Sequence, residues 1–498
     1  MHSTSTPDVG RPALAAMIAI AIVGAILAAK AAVNNHHNFG TTMFDLAVYD
    51  NVLWQTAHGR LLGSSLIPGG FHTNTHVDPI LVLLAPIYSL APQAETLLVF
   101  QAFWLAAGAI PLFLLARKQL GNDWLALALG SSLLMHPALH GPLFYDFHSL
   151  SLAGPLFLWA LHFLISGKRR AYVVVFVLLL LTREDMALLL IPVGFFAFSI
   201  GERGLGRLTI AGALLYFAAI KLILQLTGGG GGSFAYYYSD LVPDPNGNLG
   251  DLVLAVVLNP IRALLHALGG PQRHYLAIMF SPLLLLPFVA RRGRFMMAYG
   301  LAATLLASRG AMHSVHFQYT TFIYPFAFAL VPFAVARLAP NPEIPRDRQR
   351  RMVLVVGILI ACSIAGMRFG ALAPNPSFQS GYSQFKPWPA DDLKVQYADL
   401  VRLRDKIPPD ASVMASRHTG PHVSNRWEIE SFPSGWGADW LLLRQADLRR
   451  KDPTGWRARN LDLLRETGAY ELVDENDGGL TLLRRCPEIP LPEKLPAP

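Results

Sequence analysis

Eleven long apolar runs dominate this sequence and restrict it to a membrane fold. They lie near 13–33, 95–116, 124–140, 149–166, 171–182, 186–201, 207–225, 275–290, 295–308, 320–338 and 352–371. Hydrophobic residues make up 53% of the chain and charged residues only 15%, against about 25% in a soluble domain. The first run can span about 30 Å of hydrocarbon and shows no small-residue cleavage site. The sequence therefore predicts a polytopic α-helical membrane protein with about 11 transmembrane helices, the first of them uncleaved.

The distribution of basic residues predicts how these helices are oriented. With the N-terminus inside, the internal loops hold fifteen Lys and Arg residues, whereas the external loops before residue 373 hold five. Such asymmetry is typical of the positive-inside rule. It also accounts for the net charge of +8 without a nucleic-acid partner, because the basic residues form short clusters between apolar runs. We expect a multi-pass protein with a cytoplasmic N-terminus and the lipid bilayer as its surroundings.

The character of the chain changes near residue 373. Residues 1–372 form the predicted transmembrane domain, in which 34–94 is the first external loop, called the first loop below. In residues 373–498, Pro, Ser, Trp and balanced charges replace the apolar runs, and an odd number of crossings places this segment outside. Its pattern predicts a small α/β domain with a strand at 411–416, a hairpin at 470–485, and helices over "LVRLRDKI" and "RNLDLLRETG".

Two further segments lie between the apolar runs. Residues 251–268 have the pattern of a helix that lies in the membrane interface rather than crossing it. The glycine run at 228–232 has the composition of a flexible linker, with a ligand-binding loop as the alternative.

Acidic residues and histidines collect on the external side of the predicted membrane. The cytoplasmic loops hold almost none of either kind. An ionisable group at the membrane boundary is costly unless it is solvated or paired, so a one-sided collection indicates a polar cavity that opens outward. The residues are Asp45, Asp50, His58, His72, His76, Asp78, Asp146, His148, Glu184, Asp185, His274, His313 and His316.

Each of these clusters also has a purely structural interpretation. Asp45 and Asp50, in "TTMFDLAVYDNVLWQTAHGRLL", would cap a short interfacial helix. In "FHTNTHVDP", His72 and His76 are four residues apart, which on a helix suits a metal pair, but the neighbouring proline, threonines and asparagine favour a loop. "TRED" at 182–185 places three charges between two apolar runs, either as a surface ion pair or as part of the cavity wall. Several clusters on one side favour a site over separate structural roles.

Basic residues near the outer ends of the runs form a second group. A phosphate is bound by several fixed donors, and a few of these side chains together would supply them. Each one alone also fits a side chain that extends along apolar surface to reach water. The residues are Lys30, Arg183, Lys221, Arg273, Arg309 and Arg368.

Several stretches resemble a bacterial family of predicted membrane proteins of unknown function. They include "FDLAVYDNVLWQTAHGRLL", "HTNTHVDPILVLLAPIYSL", "YDFHSLSLAGPLFL" and "TREDMALLL", over roughly residues 40–340, and the tail stretch "IPPDASVMASRHTGPHVSNR" resembles an external domain of some members. That family in turn resembles the GT-C glycosyltransferases, which include protein mannosyltransferases, oligosaccharyltransferases and aminoarabinose transferases. GT-C enzymes use a lipid-linked sugar, commonly on polyprenyl phosphate, and carry a catalytic acid in the first external loop.

The resemblance implies a glycosyltransferase of the bacterial inner membrane. It would move a sugar from a polyprenyl-phosphate donor to an extracytoplasmic glycan, lipid or protein acceptor, with residues 373–498 in the periplasm. Asp45 and Asp50 are the expected catalytic residues, and Asp45 is the base that accepts the proton of the acceptor hydroxyl. The expected substrate-binding residues are His76, Asp78, Asp146, His148, Arg183, Glu184, Asp185, Arg309, His313, His316 and Tyr319.

The first loop departs from the GT-C pattern because it has no paired "DD", "DE" or "DxD". The identity of the base and the dependence on a metal therefore stay open. A divalent ion, Mg or Mn, would take its ligands from Asp45, Asp50, His76 and Asp78.

A flippase or transporter of a lipid-linked sugar, or a protein that only binds one, is the competing interpretation. Transporters place ionisable groups near the middle of the membrane and open to both sides. Here the charges lie on one side and no inverted repeat is evident, which favours the enzyme. The sequence does not indicate the sugar or the acceptor.

Overall fold

The computed structural model describes residues 10–227, 234–388, 390–434, 437–450, 452, 454–476 and 478–492. The predicted linker at 228–232 lies outside the described residues. The helices are α1 (Arg11–His37), α2 (Val48–Ala57), α3 (Ile80–Tyr88), α4 (Ala94–Ala107), α5 (Ala109–Leu120), α6 (Asp123–Met135), α7 (Pro137–Phe144), α8 (Ala153–Ile165), α9 (Arg169–Thr182), α10 (Met186–Ser199), α11 (Arg203–Thr227), α12 (Phe234–Tyr237), α13 (Leu249–Leu258), α14 (Pro260–Ala267), α15 (Gly270–Phe280), α16 (Leu286–Val289), α17 (Ala298–Leu305), α18 (Tyr324–Leu338), α19 (Pro345–Phe369), α20 (Asp391–Arg404), α21 (Gln445–Arg449) and α22 (Trp456–Glu466).

The strands belong to the C-terminal part of the chain. They are β1 (Gln379–Ser380), β2 (Ser383–Gln384), β3 (Val413–Ala415), β4 (Ile429–Ser431), β5 (Trp440–Arg444), β6 (Tyr470–Glu475) and β7 (Leu480–Arg485).

Four helical segments of the described residues are long and apolar enough to cross a membrane. They are Arg11–His37, Ala94–Leu120, Arg203–Leu226 and Pro345–Phe369, and the bent pair α13–α14 would make a fifth. Other predicted crossings are shorter than the roughly 20 residues a transmembrane helix needs, such as α6, α10 and α18. The predicted run 275–290 divides into α15 and α16, because the backbone turns at Leu284 and Leu285, with φ of 53° and 54°. The count of eleven crossings is therefore not confirmed.

Helix α1 shows how these sequences pack. Its alanines face α4 and α6, where small side chains let helices approach closely. Larger aliphatic side chains lie on the opposite, exposed side, as expected for a lipid-facing surface. The buried alanines are Ala21, Ala25, Ala28, Ala29 and Ala32, and the exposed residues are Ile18, Ile22, Val23, Ile26 and Leu27.

The segment 251–268 is a broken pair rather than one helix. Helix α13 ends at Leu258 and α14 begins at Pro260, with an angle of 105° between them. A residue before proline avoids the helical region and proline suits the first position of a helix, so the Asn259–Pro260 step explains the break.

The C-terminal sheet has the order β4-β3-β5-β7-β6. Strand β3 is parallel to β4 and β5, whereas β7 is antiparallel to β5 and β6. The strand predicted at 411–416 is β3, the predicted hairpin at 470–485 is β6 and β7, and the two predicted helices are parts of α20 and α22. The small C-terminal α/β domain is confirmed.

The first loop and this domain share one apolar core. Phe39, Met43 and Ala47 pack with Val413 and Leu442, among other residues of the sheet and α20. Hydrogen bonds add to this apolar packing. Asn51 Nδ2 donates to the backbone carbonyls of Ser424 (3.0 Å) and Arg426 (2.7 Å). The chain that follows the first long helix is therefore held rigidly against the C-terminal sheet.

Candidate active site

Asp45 lies on an unusual turn of the first loop. Residues Met43–Ala47 form a single π-helical turn between α1 and α2, a geometry often found at functional sites. Met43, Leu46 and Ala47 are buried, whereas Phe44 is 62% exposed and the side chain of Asp45 is 26% exposed. The buried apolar residues therefore hold the turn in place, and the side chains of Phe44 and Asp45 point outward.

Asp45 is held by two side chains from the loop between α7 and α8. His148 Nε2 lies 3.1 Å from Asp45 Oδ1, and the Tyr145 hydroxyl donates to Oδ2. The other ring nitrogen of His148, Nδ1, lies 2.7 Å from the backbone carbonyl oxygen of Asp146. A carbonyl oxygen only accepts, so Nδ1 carries a proton and a second proton lies between Nε2 and the carboxylate. The contact is therefore an imidazolium–carboxylate pair or its proton-transferred form.

The balance of charges favours the ionised form of Asp45. Burial raises the pKa of Asp45, but the hydrogen bond and charge of His148, the hydrogen bond of Tyr145 and the charge of Arg417 outweigh burial. The net pKa is lowered, so Asp45 carries a negative charge at neutral pH.

The pKa of the neighbouring Asp146 is shifted in the opposite direction from that of Asp45. Asp146 is 1% exposed, and Thr42 donates to its Oδ2 from both the backbone N–H and the hydroxyl, each at 2.9 Å. Burial and the negative charge of Asp45 raise the pKa of Asp146 to about 7, against the two hydrogen bonds from Thr42. The two neighbouring carboxyls thus differ in protonation near neutral pH.

The turn between α9 and α10 packs against the first loop. Glu184 Oε1 lies 3.0 Å from His76 Nδ1, and Glu184 Oε2 accepts from the backbone N–H of Val77 at 2.9 Å. Burial raises the pKa of Glu184, but His76, the charge of Arg183 and the Val77 hydrogen bond lower it to about 2. Arg183 is buried, and its Nε donates to Asp185 Oδ1 at 2.9 Å. All three charges of "TRED" are paired.

Two tyrosines connect this turn with Asp45. Burial raises the pKa of Tyr49 and of Tyr319, and in both cases the charge of Asp45 raises it further while that of Arg183 lowers it. The charges of Asp45 and Arg183 therefore act on both hydroxyls in opposite directions.

Asp78 forms a second buried pair next to Tyr49. His72 Nε2 lies 3.0 Å from Asp78 Oδ2, with both residues almost fully buried. The ring of Tyr49 contacts His72 in a tilted arrangement and His148 edge-on, with centroid distances of 5.2 and 5.6 Å. Asp78 thus supports the Asp45 region from behind rather than facing its opening.

Asp50 lies among different partners. It is 1% exposed, and it accepts hydrogen bonds from the Tyr88 hydroxyl at 2.6 Å and from the Ser424 hydroxyl at 2.7 Å. Burial raises the pKa of Asp50 to about 7, with the two hydroxyl hydrogen bonds acting against it. Asp50 connects α2 to α3 and to the C-terminal domain, and shares no partner with Asp45.

The remaining predicted residues lie in three separate places. The Arg309 guanidinium lies 3.5 Å from the centroid of the Tyr236 ring. His316 Nδ1 accepts from the backbone N–H of Gln379 at 3.2 Å. His313 is buried near His266, and burial lowers its pKa. Neither histidine is a partner of Asp45.

Comparison with known proteins now gives the family. The model of the predicted membrane proteins named DUF2079 matches residues 35–481. The chain belongs to this family. No functionally curated protein sequence matches it.

Solved structures give the fold of this DUF2079 protein. ArnT from Cupriavidus metallidurans bound to undecaprenyl phosphate superposes with a TM-score of 0.55 at 12% identity, covering 97% of this chain and 100% of ArnT. The same protein in the apo state gives 0.50 at 12% identity, covering 94% and 97%. An oligosaccharyltransferase from Archaeoglobus fulgidus gives 0.44 at 11% identity, covering 95% and 75%. ArnT is a GT-C glycosyltransferase, so the DUF2079 chain has a GT-C-like fold.

The four proposed metal ligands of the DUF2079 chain do not form one site. Asp45 pairs with His148, Asp50 with two hydroxyls, His76 with Glu184, and Asp78 with His72. In the part of the chain that the structure describes, no group of three or more His, Cys, Asp or Glu side chains is arranged to hold an ion. These residues do not fit a shared divalent ion.

Sequence reasoning missed three residues of this site. Tyr145 lies in the quoted "YDFH" but was passed over because tyrosine carries no charge. Tyr49 looks like an ordinary aromatic residue of α2. Arg417 lies 372 residues after Asp45, in the tail. Its position directly after a parallel strand was the available signal, because ligand sites lie at the carboxyl ends of such strands.

Proposed function

We propose that this protein is a membrane glycosyltransferase that moves a sugar from a polyprenyl-phosphate donor to an extracytoplasmic glycan, lipid or protein acceptor. The observation that carries this proposal is the environment of Asp45. It is an ionised, partly exposed carboxylate, fixed by His148 and Tyr145 just after the first long helix. The GT-C-like fold, and the undecaprenyl phosphate bound in the ArnT structure, support the class of donor.

In the proposed reaction Asp45 is the general base. It takes the proton of an acceptor hydroxyl, whose oxygen bonds to the anomeric carbon of the sugar. The bond from that carbon to the phosphate oxygen breaks, and its electron pair leaves with the polyprenyl phosphate. The contacts from His148 and Tyr145 keep the carboxylate charged and oriented, which is the preorganisation that such catalysis needs.

The leaving phosphate requires positive charge on the other side of the sugar. Arg183 is already neutralised by Asp185, so its role in this proposal is to hold the turn. Arg309 is exposed, and it lies over Tyr236. Burial raises the pKa of Tyr382, the charge of Asp45 raises it further, and the charge of Arg309 lowers it. We assign Arg309 to the phosphate.

The same proposal places the protein in the bacterial inner membrane. The asymmetry of basic residues supports a cytoplasmic N-terminus and a periplasmic domain at residues 373–498. A reporter enzyme that is active only in the periplasm, fused to the C-terminus, should be active. Activity of a cytoplasm-only reporter at that position would contradict the proposed orientation.

The activity itself is tested with the full-length protein in liposomes. The donor is a polyprenyl phosphate carrying a radiolabelled sugar, and the acceptor is a lipid and glycan extract of bacterial envelopes. We expect the label to move from the donor to the extract with the wild type, and transfer to be nearly lost with Asp45→Asn. Label that crosses the bilayer while still bound to polyprenyl phosphate would indicate a transporter and contradict the proposal.

A further inference from the structure

The C-terminal domain adds an arginine to the Asp45 region. Arg417 follows strand β3, and its backbone carbonyl accepts from the Met43 N–H of the π-helical turn at 2.8 Å. Its guanidinium carbon lies 5.4 Å from the centroid of the Phe44 ring. Burial raises the pKa of Asp45, and the charge of Arg417 acts against burial together with His148. The guanidinium therefore lies beside the proposed base.

This guanidinium has no hydrogen-bond or ion-pair partner among the described residues. Its Nε is buried and has no acceptor. Arginine carries five N–H donors in a planar fork that matches an oxyanion, and a buried donor without an acceptor costs stability. Elsewhere in the domain, Arg426 and Arg485 donate to backbone carbonyls. Arg417 is therefore preorganised to donate hydrogen bonds to a ligand that comes from outside the protein.

The turn that carries Arg417 is fixed by its neighbours. The Ser416 hydroxyl and the His418 N–H both donate to Asp447 Oδ2 at 2.8 Å. His418 Nδ1 donates to the carbonyl of Thr41 at 2.8 Å, so its Nε2 accepts from Arg450 Nη1, also at 2.8 Å. The position of Arg417 relative to Asp45 therefore does not depend on a flexible loop.

Which anion Arg417 can bind depends on whether it lies on the acceptor side or the donor side of the reacting sugar. In a direct displacement, the attacking oxygen and the leaving oxygen lie in line on opposite sides of the reacting carbon. A base therefore lies on the acceptor side, and the donor phosphate lies on the far side. Arg417 lies over Phe44, the neighbour of the base, whereas Arg309 lies over Tyr236 of the membrane domain.

We propose that Arg417 binds an oxyanion of the acceptor, so that the enzyme selects acceptors that carry a phosphate or carboxylate group near the reacting hydroxyl. This inference rests on the proposed glycosyl transfer. It makes the C-terminal domain part of the acceptor site rather than an appendage.

Binding measurements on the full-length protein in nanodiscs test this assignment without turnover. The probes are glycerol 1-phosphate, neutral glycerol and undecaprenyl phosphate. Arg417→Gln keeps a polar side chain and removes the charge. Arg484→Gln is the matched control, because Arg484 also lies over an aromatic ring of the same domain, that of Trp440, but is exposed at the sheet.

The wild type should bind glycerol 1-phosphate saturably and glycerol not at all. Arg417→Gln should weaken glycerol 1-phosphate binding about tenfold or more, the effect expected for charge-assisted hydrogen bonds, while undecaprenyl phosphate binding stays unchanged. Arg484→Gln should bind both phosphates as the wild type does, and Arg417→Lys should recover part of the loss.

Three results would overturn the inference. They are a wild type that does not bind glycerol 1-phosphate, an Arg417→Gln variant that binds it normally, and a variant that loses undecaprenyl phosphate instead, which would assign Arg417 to the donor. Failure of the proposed function would give a different result, because the wild type would then bind glycerol 1-phosphate through Arg417 and transfer no sugar.

Discussion

Asp45 and Asp50 lie five residues apart in the same loop and have opposite environments. Burial raises the pKa of both. For Asp45, the hydrogen bond and charge of His148, the hydrogen bond of Tyr145 and the charge of Arg417 reverse that effect, and the pKa is lowered. For Asp50, the partners are the neutral hydroxyls of Tyr88 and Ser424, and the pKa rises to about 7. The partners of a carboxyl group, more than its place in a motif, separate a reactive acid from a structural one.

Exchanging each acid for its amide should give the largest difference between the two positions. Asp45→Asn keeps the shape and removes the base, so sugar transfer should fall about 10²–10⁴-fold, the usual share of general-base catalysis. Asp50→Asn resembles the protonated form of a residue that is 1% exposed and bonded to two hydroxyls, so transfer should change only a few-fold. Transfer rates measured in the liposome assay check this, and the reverse ranking would exchange the two roles.

Truncation to alanine should destabilise the protein more at Asp50 than at Asp45, the reverse of the order expected for sugar transfer. Asp50→Ala leaves the buried hydroxyl of Tyr88 without its acceptor, at about 1–3 kcal/mol, and leaves the Ser424 hydroxyl only its 3.3 Å contact with the Pro421 carbonyl. Asp45→Ala should cost less, because water reaches this partly exposed position and replaces the carboxylate. Thermal unfolding of the purified variants in one detergent checks the difference. Equal losses would mean that Asp45 is as structural as Asp50.

The raised pKa of Asp50 predicts a pH dependence that Asp50→Asn lacks. The folded pKa of about 7 exceeds the value of about 3.9 in an unfolded chain. The contribution of Asp50 to stability is therefore full below about pH 4 and is lost as the pH rises through about 7. The melting temperature of the wild type should fall relative to Asp50→Asn across this window. Because Asp146 titrates in both proteins, their difference isolates Asp50, and parallel curves would contradict its raised pKa.

A third acid, Glu184, should show a small effect. Glu184→Gln keeps an acceptor for the Val77 N–H and loses the charge that faces His76, whose side chain is 39% exposed. A partly exposed ion pair contributes about 0.2–1 kcal/mol, so stability should decline by no more than this and transfer should persist. Loss of transfer as severe as that of Asp45→Asn would place Glu184 in the chemistry.

The sequence could predict those parts of this account that depend on local pattern. The β6–β7 hairpin and α22 follow from hydrophobic periodicity and composition. The separation of Asp45 from Asp50 did not follow, because Tyr88 and Ser424 are 38 and 374 positions from Asp50. Arg417 was missed for the same reason: its contact with Phe44 depends on how the tail packs on the first loop. The number of crossings is not confirmed, because some apolar runs bend, as at Leu284 and Leu285.

The most direct test of the central claim separates binding from chemistry at Asp45. The full-length wild type and Asp45→Asn are saturated with the labelled polyprenyl-phosphate donor, its binding is measured, and acceptor extract is then added for a single turnover. The account predicts donor binding near the wild-type value for Asp45→Asn, with a chemical step slower by about 10²–10⁴-fold. A variant that transfers at the wild-type rate once saturated, or whose only defect is weaker donor binding, would contradict it.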